Sequence, residues 1–123
     1  MSHFTSIQTQ IKDIEALRGA CGELGLSLLA DAQARGFAGT EQHGDYVVKL
    51  AGPYDIAANR QPDGTFGLST DWWEGHVERE VGPNFGRLLQ LYAVHKATRE
   101  ARKRGLTVQR TQRSDGSIKL CLS

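Results

Sequence analysis

Apolar positions recur at two different periods along this chain, and the changes of period mark its elements. Ile14, Leu17, Ala20, Cys21 and Leu24 fall three and four apart, which predicts a helix capped by Asp13 and stopped by Gly25 in the left-handed region. A longer helical pattern runs through Phe85, Leu88, Leu89, Tyr92, Ala93, Ala97 and Ala101, from a cap at Asn84 to a stop at Gly105. Elsewhere the period is two. Residues 4–7 read as an opening strand, and residues 26–40 as a weakly alternating strand that runs into an irregular loop around Gly36 and Gly39. Residues 45–50, 54–58 and 66–70 are strands separated by Ala51-Gly52-Pro53 and Pro62-Asp63-Gly64. In the second turn Pro sets φ, Asp bonds the following backbone and Gly accepts a positive φ. Asp71 stands three residues ahead of Glu74, the capping-box spacing, and predicts a short helix that ends at Gly82-Pro83. Residues 106–110 and 117–122 alternate about Ser114-Asp115-Gly116 and close the chain as a hairpin.

The resulting order is strand, helix, four strands, short helix, long helix and two strands. That order predicts an α+β fold, a mostly antiparallel sheet with its two main helices on one face. The length of 123 residues, 39% of them hydrophobic, suits one domain over residues 1–123. Apolar runs are too short to cross a bilayer and the first residues lack a secretory pattern, so a cytoplasmic protein with no membrane association is expected. Cys21 and Cys121 show neither zinc-site spacing nor the density of a disulfide framework. Buried free thiols are the default for them, and only their separation decides whether they could be joined.

Charge changes the picture more than composition does. Residues 1–93 carry seven Lys/Arg against twelve Asp/Glu, whereas residues 94–123 carry eight against two, a split of −5 and +6 inside a chain of net +1. Such segregation implies a basic surface for an acidic partner or polyanion, or complementarity between two parts of one fold.

Four groups of residues in this order resemble the family of hypothetical chloroplast open reading frame thirty-five. They are Met1-Ser2-His3-Phe4 with Ile7 and Thr9; Arg35-Gly36-Phe37 ahead of Val47-Val48 and Tyr54-Asp55-Ile56; Asp71-Trp72-Trp73; and Leu91-Tyr92-Ala93 followed by Asp115-Gly116-Ser117-Ile118-Lys119-Leu120. The chain departs from that pattern at Ala57-Ala58, where a glycine and an aromatic are expected, and after Leu122, where a basic-aromatic pair is missing. The resemblance implies a conserved domain found in cyanobacteria, other bacteria and some algal plastids, and no activity, cofactor or catalytic residue comes with it.

Candidate chemistry is sparse. At about 100° per residue, His95, Lys96, Arg99, Arg102 and Lys103 share roughly a third of the long helix's circumference, with Tyr92 at the head of this stripe as an aromatic platform. The plain alternative is a solvated helix end whose cations complement the helix dipole. Trp72 and Trp73 diverge on either a strand or a helix, so one of them is expected at the surface as a partner anchor. The alternative there is burial of both against the sheet and the long helix. Glu74, His76, Glu78 and Glu80 do not converge at helical spacing, and the other histidines, His3, His43 and His95, are scattered. No nucleophile elbow or glycine-rich phosphate loop occurs, so neither a metal nor a cofactor is expected.

These readings point first to a non-catalytic protein-binding or adaptor module that uses the basic stripe and the tryptophan segment, with an acidic protein or a second copy of the chain as partner. A pocket between sheet and helices with Arg35, Tyr54 and Asp55 as its polar groups is the enzymatic or small-ligand alternative. Nucleic-acid binding through the stripe comes third, because a pI near 7.8 is low for such proteins.

Overall fold

The computed structural model describes residues 4–123, so His3 and most of the Met1-Ser2-His3-Phe4 group lie outside the described residues. The chain runs β1 (Phe4–Gln8), α1 (Ile14–Glu23), β2 (Ser27–Arg35), β3 (Glu41–Lys49), β4 (Ile56–Arg60), β5 (Phe66–Asp71), a short α2 (Glu78–Val81), α3 (Gly86–Lys103), β6 (Val108–Gln112) and β7 (Ile118–Leu122). This is the expected α+β order.

Strands β1 to β5 form one sheet in the order β1-β5-β4-β3-β2, every pair antiparallel, while β6 and β7 make a separate ribbon. Register explains which residues are buried. Leu28, Val48, Ile56 and Thr70 lie in one cross-strand row and Tyr46, Ala58 and Leu68 in the next, all on the face that α1 and α3 cover. Leu17, Ala20 and Cys21 of α1 and Phe85, Leu88, Leu91 and Tyr92 at α3 complete that core. Each fully buried large side chain there contributes about 1.5–3 kcal/mol.

The opposite face is closed by the sheet itself. Asp31 takes φ 49°, and Gly44 has no room for a Cβ because Tyr46 O would stand 2.4 Å from it, so the β2–β3 hairpin bends at this level. Its far half folds back over Val47 and Ala57 and buries Ala34 between them. Polar contacts hold the fold-back. Ser69 Oγ donates to Gln42 Oε1 (3.0 Å), Asp55 N donates to Arg35 O (3.0 Å), and Phe37 N donates to Asp71 Oδ2 (3.0 Å).

Several local expectations change. Asp71 ends β5 and is fully buried, and its second oxygen accepts from Trp73 N at 3.0 Å, so it ties two loops together rather than capping a helix. Asn84 (φ 53°) and Phe85 (φ 62°) are both left-handed, and α3 starts after Phe85 without a side-chain cap. Tyr54 and Asp55 precede β4 instead of opening it. Ala93 and Ala97, assigned by periodicity to the buried face of the long helix, are exposed, because α3 turns Leu88, Leu91 and Tyr92 to the core instead. Cys21 is buried, but Cys121 is exposed on β7, and the two thiols are free.

Candidate functional site

The stripe on α3 divides into cations that hold the fold and cations that do not. Arg99 Nε donates to Asp13 Oδ2 at 2.9 Å, and His95 Nε2 meets Glu23 Oε1 at 2.8 Å, so both ends of α1 are tied to α3. Glu23 also receives two bonds from Arg110 of β6, at 2.5 and 3.0 Å. Arg110 is the main reason that the Glu23 carboxyl is lowered to about 2, against the opposing effect of burial and with help from His95. Burial raises the Asp13 carboxyl, but Arg99 and the Ala16 amide outweigh it and leave the group below its ordinary value. Internal complementarity thus accounts for part of the charge split. Lys96, Arg102 and Lys103 remain without an ion-pair partner among the described residues.

Tyr92 is not a platform. It is 5% exposed, and its hydroxyl oxygen accepts from the amides of Lys12 and Asp13 at 3.0 and 3.1 Å, which satisfies two donors just ahead of α1. The same packing explains Gly19, where a Cβ would stand 2.4 Å from His95 Nδ1.

Beside Tyr92, α3 and the segment linking β1 to α1 enclose a groove of about 590 Å³. Gln8, Thr9, Gln10 and Ile11 form one wall; Leu89, Tyr92, Ala93, Lys96, Ala97 and Glu100 form the other. Thr9 fixes the wall, since its hydroxyl donates to Phe66 O at 2.7 Å and accepts from Ile11 N at 3.0 Å. The periodicity of α3 named Ala93 and Ala97 but assigned them to the core, and nothing predicted the opposing wall. The available signal was Ile11, a lone apolar residue in a polar stretch just before a helix cap.

Arg35, Tyr54 and Asp55 do come together, as a structural knot. Arg35 grips the fully buried Asp55 carboxylate with Nε and Nη2, both at 2.9 Å, and Nη2 also donates to Gly52 O at 2.8 Å. The amides of Arg35 and Leu50 add bonds of 2.9 and 3.1 Å. Burial alone would raise the Asp55 carboxyl, and these donors reverse that and hold it below the usual range. A depression of about 440 Å³ lies alongside, lined by Arg35, Gly36 and Tyr54 among others. Tyr54 is buried, with its ring edge-on to His76 at 5.4 Å.

The tryptophans divide as the diverging geometry requires. Trp72 packs on Phe85, with ring centroids 4.7 Å apart, and Trp73 is 45% exposed beside Phe37 at 5.3 Å. Because Phe85 precedes the first turn of α3 and Lys103 ends the last, the tryptophan segment lies about 25 Å along the helix from Arg102 and Lys103 and about 16 Å from Lys96. Glu80 is occupied in accepting the Ala51 and Gly52 amides at 2.7 and 3.0 Å. Among the described residues no group of three or more His, Cys, Asp or Glu is placed to hold a metal ion, and no helix is long and apolar enough to cross a membrane.

Comparison with known proteins adds kinship without chemistry. A family model described as "Protein of unknown function (DUF1257)" matches residues 20–121. The chain is similar to the "Uncharacterized protein ycf35" of Pyropia yezoensis, at 33% identity over 124 residues that cover 98% of this chain and 94% of that protein. No solved structure matches it. Both matches run through the Arg35-Gly36-Phe37, Asp71-Trp72-Trp73 and Leu91-Tyr92-Ala93 segments, and the chain belongs to the DUF1257 family of unknown function.

Proposed function

We propose that the protein is a non-catalytic binding module that docks an acidic, amphipathic helical segment of a partner protein along the open face of α3. The observation that carries this reading is the exposure of Ala93 and Ala97 at the groove beside residues 8–11. Small side chains let another helix approach closely, and the half-buried Leu89 supplies apolar surface beside them. Lys96 on the wall, and Lys103 and Arg104 where the groove-facing side of α3 ends, are cations without an internal use, which favours acidic residues on the incoming segment. A cytoplasmic location belongs to this reading and is supported by the exposed free thiol of Cys121.

Co-purification with wild type, Ala93→Arg and Lys96→Glu/Lys103→Glu proteins tests it. The partner recovered with wild type is expected to be lost with both variants while helical content and melting temperature stay unchanged. Equal recovery would refute groove docking, and retention on a polyanion column that weakens with Lys103→Glu would point to nucleic acid instead.

A small-ligand reading is favoured only by the depression near Tyr54. The mutual saturation of Arg35 and Asp55 weighs against it, since groups spent on each other are not offered to a ligand.

A further inference from the structure

The ribbon of β6 and β7 has an edge that the rest of the fold does not use. Thr107 and Ser123 exchange both backbone bonds, at 2.8 and 3.0 Å, and Arg113 N donates to Ser117 O at 2.8 Å. Bonded and non-bonded pairs alternate in an antiparallel ladder, so Gln109 with Cys121 and Thr111 with Lys119 are the bonded pairs between these ends. The amides and carbonyls of Ile118, Leu120 and Leu122 therefore point outward along β7. Among the described residues no further strand pairs with β7 and no turn or side-chain hydrogen bond reaches them.

This edge carries a single protection against pairing, the charge of Lys119. It contains no proline and no bulge, and its one charge, Lys119, lies on the opposite face from Ile118, Leu120 and Leu122. Leu122 is 53% exposed. A two-stranded ribbon is marginally stable alone. This one is held to the body by Arg110 on Glu23, by Gln90 Nε2 donating to Gly116 O at 3.0 Å, and by the packing of Ile118.

We infer that the outer edge of β7 takes an extended segment of a partner protein, alternating apolar and acidic residues, as the third strand of the ribbon. The outward amides and carbonyls supply the ladder, Leu120 and Leu122 receive the apolar side chains, and Lys119 faces the acidic ones on the other side. A second copy of this chain fits less well. Self-pairing would bring together two segments that each carry eight Lys/Arg against two Asp/Glu. The surface differs from the α3 groove, so either can fail alone.

A short synthetic peptide of alternating Val and Glu, and its Lys-for-Glu counterpart, serve as probes on the full-length isotope-labelled protein. The Val-Glu peptide is expected to slow hydrogen exchange at the amides of Ile118, Leu120 and Leu122. Leu120→Pro removes one outward donor and no ribbon bond, and it lowers affinity by about tenfold. Lys119→Glu reverses the preference toward the Lys peptide, and Ala93→Arg leaves binding unchanged. Equal binding by Leu120→Pro, or chemical-shift changes confined to α3, overturns the inference. So does protection of the same amides that rises with protein concentration without peptide, which would identify a second copy as the occupant. Should Leu120→Pro lose the β6–β7 cross-strand contacts, the preference of Lys119→Glu decides by itself.

Discussion

Two glycines in α1 offer a test of the helix packing that organises this molecule. A Cβ at Gly22 meets nothing within 4 Å, whereas one at Gly19 would stand 2.4 and 2.8 Å from ring atoms of His95. Glycine inside a helix costs about 1 kcal/mol relative to alanine, so Gly22→Ala is expected to stabilise by roughly 0.5–1 kcal/mol. Gly19→Ala gains the same propensity but must displace a ring pinned to Glu23 at 2.8 Å. Overpacking of this kind costs about 1–3 kcal/mol, which leaves a net loss of about 1 kcal/mol. The two variants should therefore differ by about 2 kcal/mol. For 123 residues the unfolding entropy is about 0.26 kcal/mol/K, so their melting temperatures should differ by about 8 °C. Urea unfolding of both, together with His95→Ala and the Gly19→Ala/His95→Ala double variant, closes a cycle in which Gly19→Ala becomes stabilising once the ring is gone. If both glycine variants stabilise alike, or the double variant shows no coupling, the close approach of α1 and α3 at Gly19 is refuted.

The Glu23 carboxyl, held at about 2 mainly by Arg110, contributes stability that is complete above its ordinary value of 4.5 and is lost as pH falls through its folded value. Glu23→Gln should therefore flatten part of the acid limb between about pH 4.5 and 2 in chemical denaturation, a window in which Asp13 and Asp55 add losses of the same sign. Tyr92→Phe leaves the Lys12 and Asp13 amides without their acceptor and should cost about 1–3 kcal/mol in urea unfolding, with an unchanged m-value. Arg35→Ala leaves the buried Asp55 carboxylate to Lys49 Nζ at 3.5 Å and to the amides of residue 35 and Leu50, and should cost about 3 kcal/mol, the largest of these losses. A thiol reagent should label Cys121 at once in the native protein. Cys21 should react only on unfolding, since its burial also raises the thiol to about 11.

Much of the architecture was legible because periodicity and turn chemistry are local. The helix from Asp13 to Leu24 and the Pro62-Asp63-Gly64 turn stand where their patterns predicted, and the closing ribbon forms with its first strand two residues later, at Val108–Gln112. The errors at Asp71 and Asn84 have different causes: Asn84 is followed by a left-handed Phe85, so α3 begins one residue too late for it to cap. A capping signature specifies a side chain that can accept an amide but not which amide, and Asp71 uses its oxygens on Phe37 and Trp73. Of the candidate site residues, the free cations Lys96, Arg102 and Lys103 and an exposed tryptophan could be read in advance. The roles of Tyr92, His95 and Arg99 could not, because their partners lie on α1 or just ahead of it, more than seventy residues away.

By itself the sequence determined the order and kind of the elements, the charge split and the family, since each is written in neighbouring residues or in their spacing. The tertiary structure alone decided which cations are consumed. Docking α1 on α3 sets Asp13 and Glu23 against Arg99 and His95. It also decided which side of α3 stays open, because a helix with apolar residues around much of its circumference buries the side that meets a neighbour. Leu88, Leu91 and Tyr92 met α1 and the sheet. Ala93 and Ala97, equally suited to a core by pattern, were left facing a groove.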